Sequence, residues 1–176
     1  MLFAILGGAF WFILLVISLP IAYAAKIGAP TFATRKARIK DILRIANPKP
    51  GDIICDLGSG NGDMVRAFAS IDRVEVIGFE LSPVAYAISR ISLALHRVKN
   101  ARILLKNFFY ARLCSADIVY CFLMPHSMQK LKGKFLRELK PGAQVISFAF
   151  KIEGWQPQNV LQGNGLPPVY FYTVKK

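Results

Sequence analysis

The residues best equipped for chemistry are Asp56-Leu57-Gly58-Ser59-Gly60-Asn61-Gly62-Asp63. They follow an apolar run, Ile53-Ile54-Cys55, and place glycines at 58, 60 and 62. Glycines at that spacing form a tight turn and let a ligand approach the backbone where a Cβ would block it. An apolar run ending in such a turn predicts a strand whose carboxyl end faces a nucleotide-like ligand. The spacing is not that of a dinucleotide loop, which needs a third glycine where Asp63 stands. Asp56 beside the loop would also repel a pyrophosphate.

A cation suits the loop better. S-adenosylmethionine carries a sulfonium and an amino-acid end and has no phosphate, so an acid beside the loop favours it. Glu80 closes a second apolar run, in Gly78-Phe79-Glu80-Leu81. A carboxylate there can accept both ribose hydroxyls; Glu80 or Ser82 can equally cap the next helix. Asn107 follows a third run, with Phe108 and Phe109 beside it. Its amide can bond an adenine amino group and a ring can pack on the base, although two phenylalanines after a strand also suit a core.

Three further residues are candidates for a chemical role: Tyr120 in the fourth run, His126 after it and Trp155 beyond the fifth. Each has a structural alternative. Tyr120 fits the core, His126 a solvated helix start, and Trp155 a cover for the sheet end. None identifies itself as a general base. Cys55, Cys114 and Cys121 lack metal-type spacing, and their odd number leaves one unpaired. No metal site is predicted, and a reducing compartment fits.

The elements that must position these groups alternate between apolar runs and amphipathic stretches. A helix is predicted over 34–46, with Ile39, Ile42, Leu43 and Ala46 on one face. Strands follow at 52–56, 74–79, 102–105, 118–122 and 143–150. Helices are predicted over 64–70, 83–97 and 127–139. Short strands at 158–161 and 169–174 flank a Gly163-Asn164-Gly165 turn. This order predicts an α/β fold: a doubly wound, Rossmann-like parallel sheet with a C-terminal β-hairpin at one edge.

One segment stands apart. Residues 1–25 carry no charged side chain, and 2–25 are apolar but for Ser18 and Pro20. At about 1.5 Å per residue they would span roughly 35 Å, enough for a hydrocarbon core of about 30 Å. Lys26, Arg35, Lys36, Arg38 and Lys40 follow, a cluster that holds its side of a span in the cytoplasm. The reading is a single transmembrane anchor over 1–25, a linker over 26–33 and one domain over 34–176. A cleaved signal peptide is the rival, since Ala22-Tyr23-Ala24 matches a cleavage pattern. No Lys or Arg precedes the run, which opposes that reading.

The 176 residues are 54% hydrophobic, which excludes a disordered chain, and carry 23 Lys+Arg against 10 Asp+Glu. A net charge of +13 calls for an anionic neighbour, lipid or nucleic acid. Lys130, Lys132, Lys134, Arg137 and Lys140 crowd one predicted helix, either as a solvated face or against acidic lipid. Nucleic acid ranks last, because the aromatics near this helix are not interleaved as stacking platforms.

Asp56 to Gly62, Glu80 and Asn107 together resemble the motifs of class I S-adenosylmethionine-dependent methyltransferases. Asn107 stands where many members carry Asp and keeps a hydrogen-bonding group without the carboxylate. Pro30-Thr31-Phe32-Ala33-Thr34, Phe122-Leu123-Met124-Pro125, Gly154-Trp155-Gln156-Pro157 and the 163–165 turn resemble a narrower group. It is the membrane-anchored family of the ATP synthase c-subunit lysine methyltransferase. The resemblance implies a methyltransferase sheet with S-adenosylmethionine on Asp56, Gly58, Ser59, Gly60, Gly62, Glu80, Leu81, Asn107 and Phe108. It implies lysine methylation of a membrane-proximal protein. A small-molecule or lipid methyltransferase and a non-catalytic S-adenosylmethionine-binding module remain the alternatives.

Overall fold

Ile53–Leu57 (β1) is apolar on both sides and becomes an interior strand of a seven-stranded sheet. A strand covered on both faces needs no polar alternation, which is why this run is almost unbroken. The computed structural model describes residue 11 and residues 36–163 and 165–175. The other strands are Glu75–Glu80 (β2), Ala101–Leu105 (β3), Ile118–Cys121 (β4), Gln144–Phe148 (β5), Asn159–Leu161 (β6) and Val169–Thr173 (β7). The order is β3-β2-β1-β4-β5-β7-β6. Strands β1 to β5 pair in parallel, and β7 runs antiparallel to β5 and to β6. The predicted hairpin is therefore present at one edge, its second strand innermost.

The helices are Lys36–Ala46 (α1), Asp63–Ala69 (α2), Pro83–Leu95 (α3) and Pro125–Glu138 (α4). On one face, Ile42 of α1, Val65 and Phe68 of α2 and Leu93 of α3 cover Ile54, Val76, Ile103, Ile118 and Ile146. On the other, Met128, Leu131 and Phe135 of α4 cover Cys55, Leu57, Val119, Cys121 and Val145. Phe108, Leu113 and Ile152, from segments outside the long helices, complete the cover of that second face. A single 3-10 turn, Phe108–Tyr110, joins β3 to β4, and residues 149–158 join β5 to β6 without a helix.

Boundaries moved for identifiable reasons. The helix predicted over 127–139 begins at Pro125, because proline's fixed φ suits a first helical position. The strand predicted over 143–150 stops at Phe148, because Ala149 has φ +70°. The buried thiols of Cys55 and Cys121 read as core residues, and burial pushes Cys55 up to about 12.

The basic stretches differ more. Arg38, read as one of the cations that follow a membrane span, is 1% exposed, and its guanidinium donates to the carbonyls of Gly163 and Leu166 at 2.8 and 3.2 Å. Lys134 is buried and pairs with Glu138 at 2.6 Å. Lys132 donates to the Glu153 carbonyl at 2.7 Å, and Lys140 pairs with Asp117 at 2.6 Å. Much of the predicted basic helix is thus tied to its own domain.

The anchor over 1–25, the linker and the first two residues of the helix predicted over 34–46 lie outside the described residues, Trp11 excepted, and so does Asn164. Among the described residues no helix is long and apolar enough to cross a membrane.

Candidate active site

The loop after β1 turns through three left-handed residues: Gly58 at φ +81°, Gly60 at +53° and Gly62 at +80°. L side chains pay about 1–2 kcal/mol per residue there, which accounts for the alternate glycines. The backbone of the loop is fastened to β2. Gly58 and Ser59 N–H both donate to the Phe79 carbonyl, at 2.9 and 3.0 Å. A Cβ on Gly60 would meet nothing within 4 Å, so there is open space beside the loop. A Cβ on Gly62 would press on Ser89 and Ile103 at 3.2 and 3.3 Å, so that glycine serves packing against α3.

Glu80 ends β2 and is 6% exposed. Its Oε2 accepts the N–H of Gly60 at 2.8 Å, and its Oε1 accepts those of Leu81 and Ser82 at 2.8 and 2.7 Å. The carboxylate therefore binds two loops together. Leu81 contributes through its backbone. Ser82 caps α3 by accepting the Ala85 N–H, the role that was also open to Glu80.

Asp56 is 2% exposed, between its register partners Gly78 and Tyr120. Burial, then the nearby charge of Glu80, pushes its carboxyl up to about 8. A carboxyl held this way is neutral or nearly so near pH 7, and an arriving cation would ionise it. Ser59 is 7% exposed, and its hydroxyl has no hydrogen-bond partner among the described residues. An unsatisfied buried hydroxyl is costly, and a ligand's polar group would relieve it. Open space at Gly60, the orphaned Ser59 hydroxyl and the proton-poised Asp56 fit a cationic, hydroxyl-bearing ligand such as S-adenosylmethionine.

Asn107 caps the 3-10 turn, its Oδ1 accepting the Phe109 N–H at 2.9 Å. The turn sends Phe108 inward: it is 3% exposed and its ring lies 4.7 Å from that of half-buried Phe109. Of the two rings, Phe109 is the more accessible to a base.

The acceptor-side candidates are not brought together. Tyr120 is buried on the α2 face, its ring 6.2 Å from Phe68. His126 is exposed in the first turn of α4, its Nε2 3.3 Å from the Ser127 hydroxyl. Trp155 packs on Phe135 and Tyr172, at 6.4 and 5.8 Å between ring centroids. Tyr172 pairs with Val145, whereas the carboxyl end of β5 is Phe148, opposite Val169. Trp155 thus covers the α4 face of the sheet near the start of β5, away from the carboxyl end and the acceptor edge.

Two features at the acceptor edge escape sequence reasoning. Phe122, just beyond β4, and Phe148, at the end of β5, pack with ring centroids 4.6 Å apart and planes tilted by 57°. Ala149 follows in a left-handed conformation, its N–H donating to the Pro168 carbonyl at 2.7 Å. Phe122 is singled out in sequence only through the family resemblance, Phe148 reads as an ordinary strand residue, and nothing in an alanine signals positive φ.

Comparison with known proteins agrees with this geometry. Residues 56–159 match the family model described as the ANTKMT methyltransferase domain. A protein-lysine N-methyltransferase of Saccharolobus islandicus (strain REY15A) is 32% identical over 155 residues, 82% of this chain and 93% of that protein. An adenine nucleotide translocase lysine N-methyltransferase of Mus musculus is 28% identical over 158 residues, covering 85% of this chain. The match spans 65% of that relative's length. Among solved structures, an RNA methyltransferase from Salinibacter ruber, in complex with S-adenosyl-L-homocysteine, superposes with a TM-score of 0.76 at 27% identity. It covers 81% of this chain and 93% of that one.

Proposed function

We propose that this chain, which belongs to the family of the ANTKMT methyltransferase domain, methylates a lysine side chain of a protein held at a membrane surface. It is an S-adenosylmethionine-dependent methyltransferase of the protein-lysine type by family. The cofactor would lie on the loop 58–62, with Asp56 toward its cationic amino-acid end and Glu80 toward its ribose. When bound it supplies an electrophilic methyl group. The chain's own task is to align a nucleophile with that methyl and exclude water.

The observation that carries a macromolecular substrate is the open acceptor edge. Met124, Pro125 and His126 are exposed where β4 gives way to α4. No helix between β5 and β6 folds over them. A protein side chain can enter such an edge. A small acceptor would need a more enclosed pocket to be held. A lysine must react as the neutral amine, and carbonyl groups at this edge can orient it.

The apolar, uncharged run 2–25 supports a single-pass anchor, with the domain on the cytoplasmic side next to the Lys- and Arg-rich 26–40. The tether would limit the enzyme to substrates near the bilayer. RNA is the second reading, favoured by the Salinibacter neighbour.

The test uses tritiated S-adenosylmethionine and membranes and RNA from cells lacking the gene, with native protein or Asp56→Ala. The expected result is a labelled protein band that depends on Asp56 and yields methyl-lysine by mass spectrometry. Label confined to the lipid extract, or to RNA, would overturn the lysine assignment.

A further inference from the structure

Helix α3 is apolar on the side that faces the sheet and also on the side that faces away. Ser89 and Leu93 are its buried residues. Val84, Ile88, Ile91 and Leu95 are 42%, 47%, 60% and 76% exposed. Their spacing of i, i+4, i+7 and i+11 puts them on one stripe. By helical geometry that stripe is opposite Ser89 and Leu93. Leu105 on the edge strand β3 is 51% exposed and shares the α3 side with Ile103 by strand alternation. Scattered exposed apolar residues are ordinary, but a continuous stripe marks a contact surface.

The surroundings of the stripe are basic. No Asp or Glu occurs between Glu80 and Asp117, whereas Arg90, Arg97, Lys99, Arg102, Lys106 and Arg112 all do. Arg102 pairs with Glu75 at 3.0 Å, and Arg90 packs on Tyr86. Arg97 and Lys99 are exposed just past the last stripe residue. The lysines of α4, by contrast, are largely engaged within the domain.

We propose that the α3 stripe is where this domain lies on an anionic lipid bilayer. Aliphatic side chains would enter the headgroup–acyl boundary, with Arg97 and Lys99 on lipid phosphates. Charge selects the occupant: a bilayer of acidic lipid offers apolar depth bordered by negative charge. Nucleic acid would meet the cations, but the aliphatic stripe gives bases no ring to stack on. The chain supplies a reason for lipid to be near. The uncharged run 2–25 precedes α1, and α1 covers the same face of the sheet as α3. The inference rests on the membrane reading above and adds the orientation of the domain.

The experiment uses the full chain in vesicles of phosphatidylcholine, with or without phosphatidylglycerol. Exposed Cys114 is replaced by Ser, leaving only buried thiols. An environment-sensitive fluorophore is placed through Ile91→Cys or Leu95→Cys, and through Leu136→Cys on α4 as the control. Retained S-adenosylmethionine binding establishes that each labelled chain is folded. The expected result is a blue-shifted probe at 91 and 95, quenched by acyl-brominated lipid when phosphatidylglycerol is present, with the probe at 136 unaffected. Arg97→Gln and Lys99→Gln should each lower the docked-to-undocked ratio about fivefold. Chains that float with vesicles but show no quenching at 91 and 95 would overturn this proposal alone. So would a blue shift without bromine quenching, which would mean a protein surface covers the stripe, or equal quenching at 136. Chains that fail to float would overturn the anchoring reading as well.

Discussion

The Oε2 of Glu80 accepts the backbone N–H of Gly60 at 2.8 Å, so one carboxylate fastens the loop after β1 to the turn after β2. Its other oxygen serves Leu81 and Ser82. A carboxylate has about four acceptor positions. The ligand's hydroxyls must therefore share this group with the loop that cradles the ligand.

Glu80→Gln separates the two roles. An amide has one acceptor oxygen, so at least one of the three N–H donors loses its partner. A buried donor left unpaired costs about 1–3 kcal/mol. Urea unfolding without cofactor should show a loss of about 2 kcal/mol. Calorimetric titration should show at least a tenfold loss of S-adenosylmethionine affinity. Native stability with lost affinity would mean the bonds from Gly58 and Ser59 to Phe79 hold the loop unaided.

Asp56 makes cofactor binding depend on pH. Its folded carboxyl titrates near 8, far above the ordinary carboxylate range. Between about pH 4 and pH 8 the native state keeps a proton that the unfolded state has lost. Stability contributed by this group therefore falls as pH rises through that window and levels off above it. A cationic ligand prefers the ionised form, so affinity should rise from pH 6 to 8, with a proton released on binding. Titrations in two buffers of different ionisation heat would count that proton. Asp56→Asn should flatten both trends, and a pH-independent native affinity would refute the assignment.

Two glycines at the site should fail differently. A Cβ on Gly78 would lie 2.8 Å from the Ser59 hydroxyl and 3.0 Å from Val65 Cγ2. Gly78→Ala should cost about 1–3 kcal/mol through overpacking and displace Ser59. Gly60→Ala has open space but a φ of +53°. It should cost about 1 kcal/mol in stability and proportionately more in cofactor affinity, because the new methyl occupies ligand space. Melting and binding measured on both variants would show whether the space at Gly60 belongs to the ligand. Unchanged affinity in Gly60→Ala would assign it to solvent.

The cofactor half of this site was legible because its chemistry is local in sequence. Gly58, Gly60 and Gly62 have positive φ and Glu80 ends an apolar run, and both properties are visible in residue type and spacing. The acceptor half depends on which strand ends become neighbours. Phe122 and Phe148 meet only because β4 and β5 pair in parallel, and neither differs in type from a core phenylalanine. Trp155 reads the same whether it walls a channel or covers a sheet. The placement of Tyr172 opposite Val145 decides for the sheet. Charge is deceptive for a similar reason: Lys134 and Arg38 look solvated until their partners, Glu138 and the carbonyls of Gly163 and Leu166, are placed beside them.

Arg38 gives the most direct check of that last point. Its side chain is buried in α1 and reaches the turn between β6 and β7. Hydrogen bonds from a charged donor are worth about 1.5–3 kcal/mol each. Arg38→Ala should therefore lower stability by about 3 kcal/mol and speed amide exchange in β6 and β7 more than in β1. Arg38→Lys keeps the charge but not the planar fork that reaches two carbonyls, so it should recover only part of the loss. Were the guanidinium a surface cation near lipid, Arg38→Ala would leave the unfolding midpoint unchanged and Arg38→Lys would be silent. A native-like melt in Arg38→Ala would mean that pairing of β7 with β5 holds this edge alone.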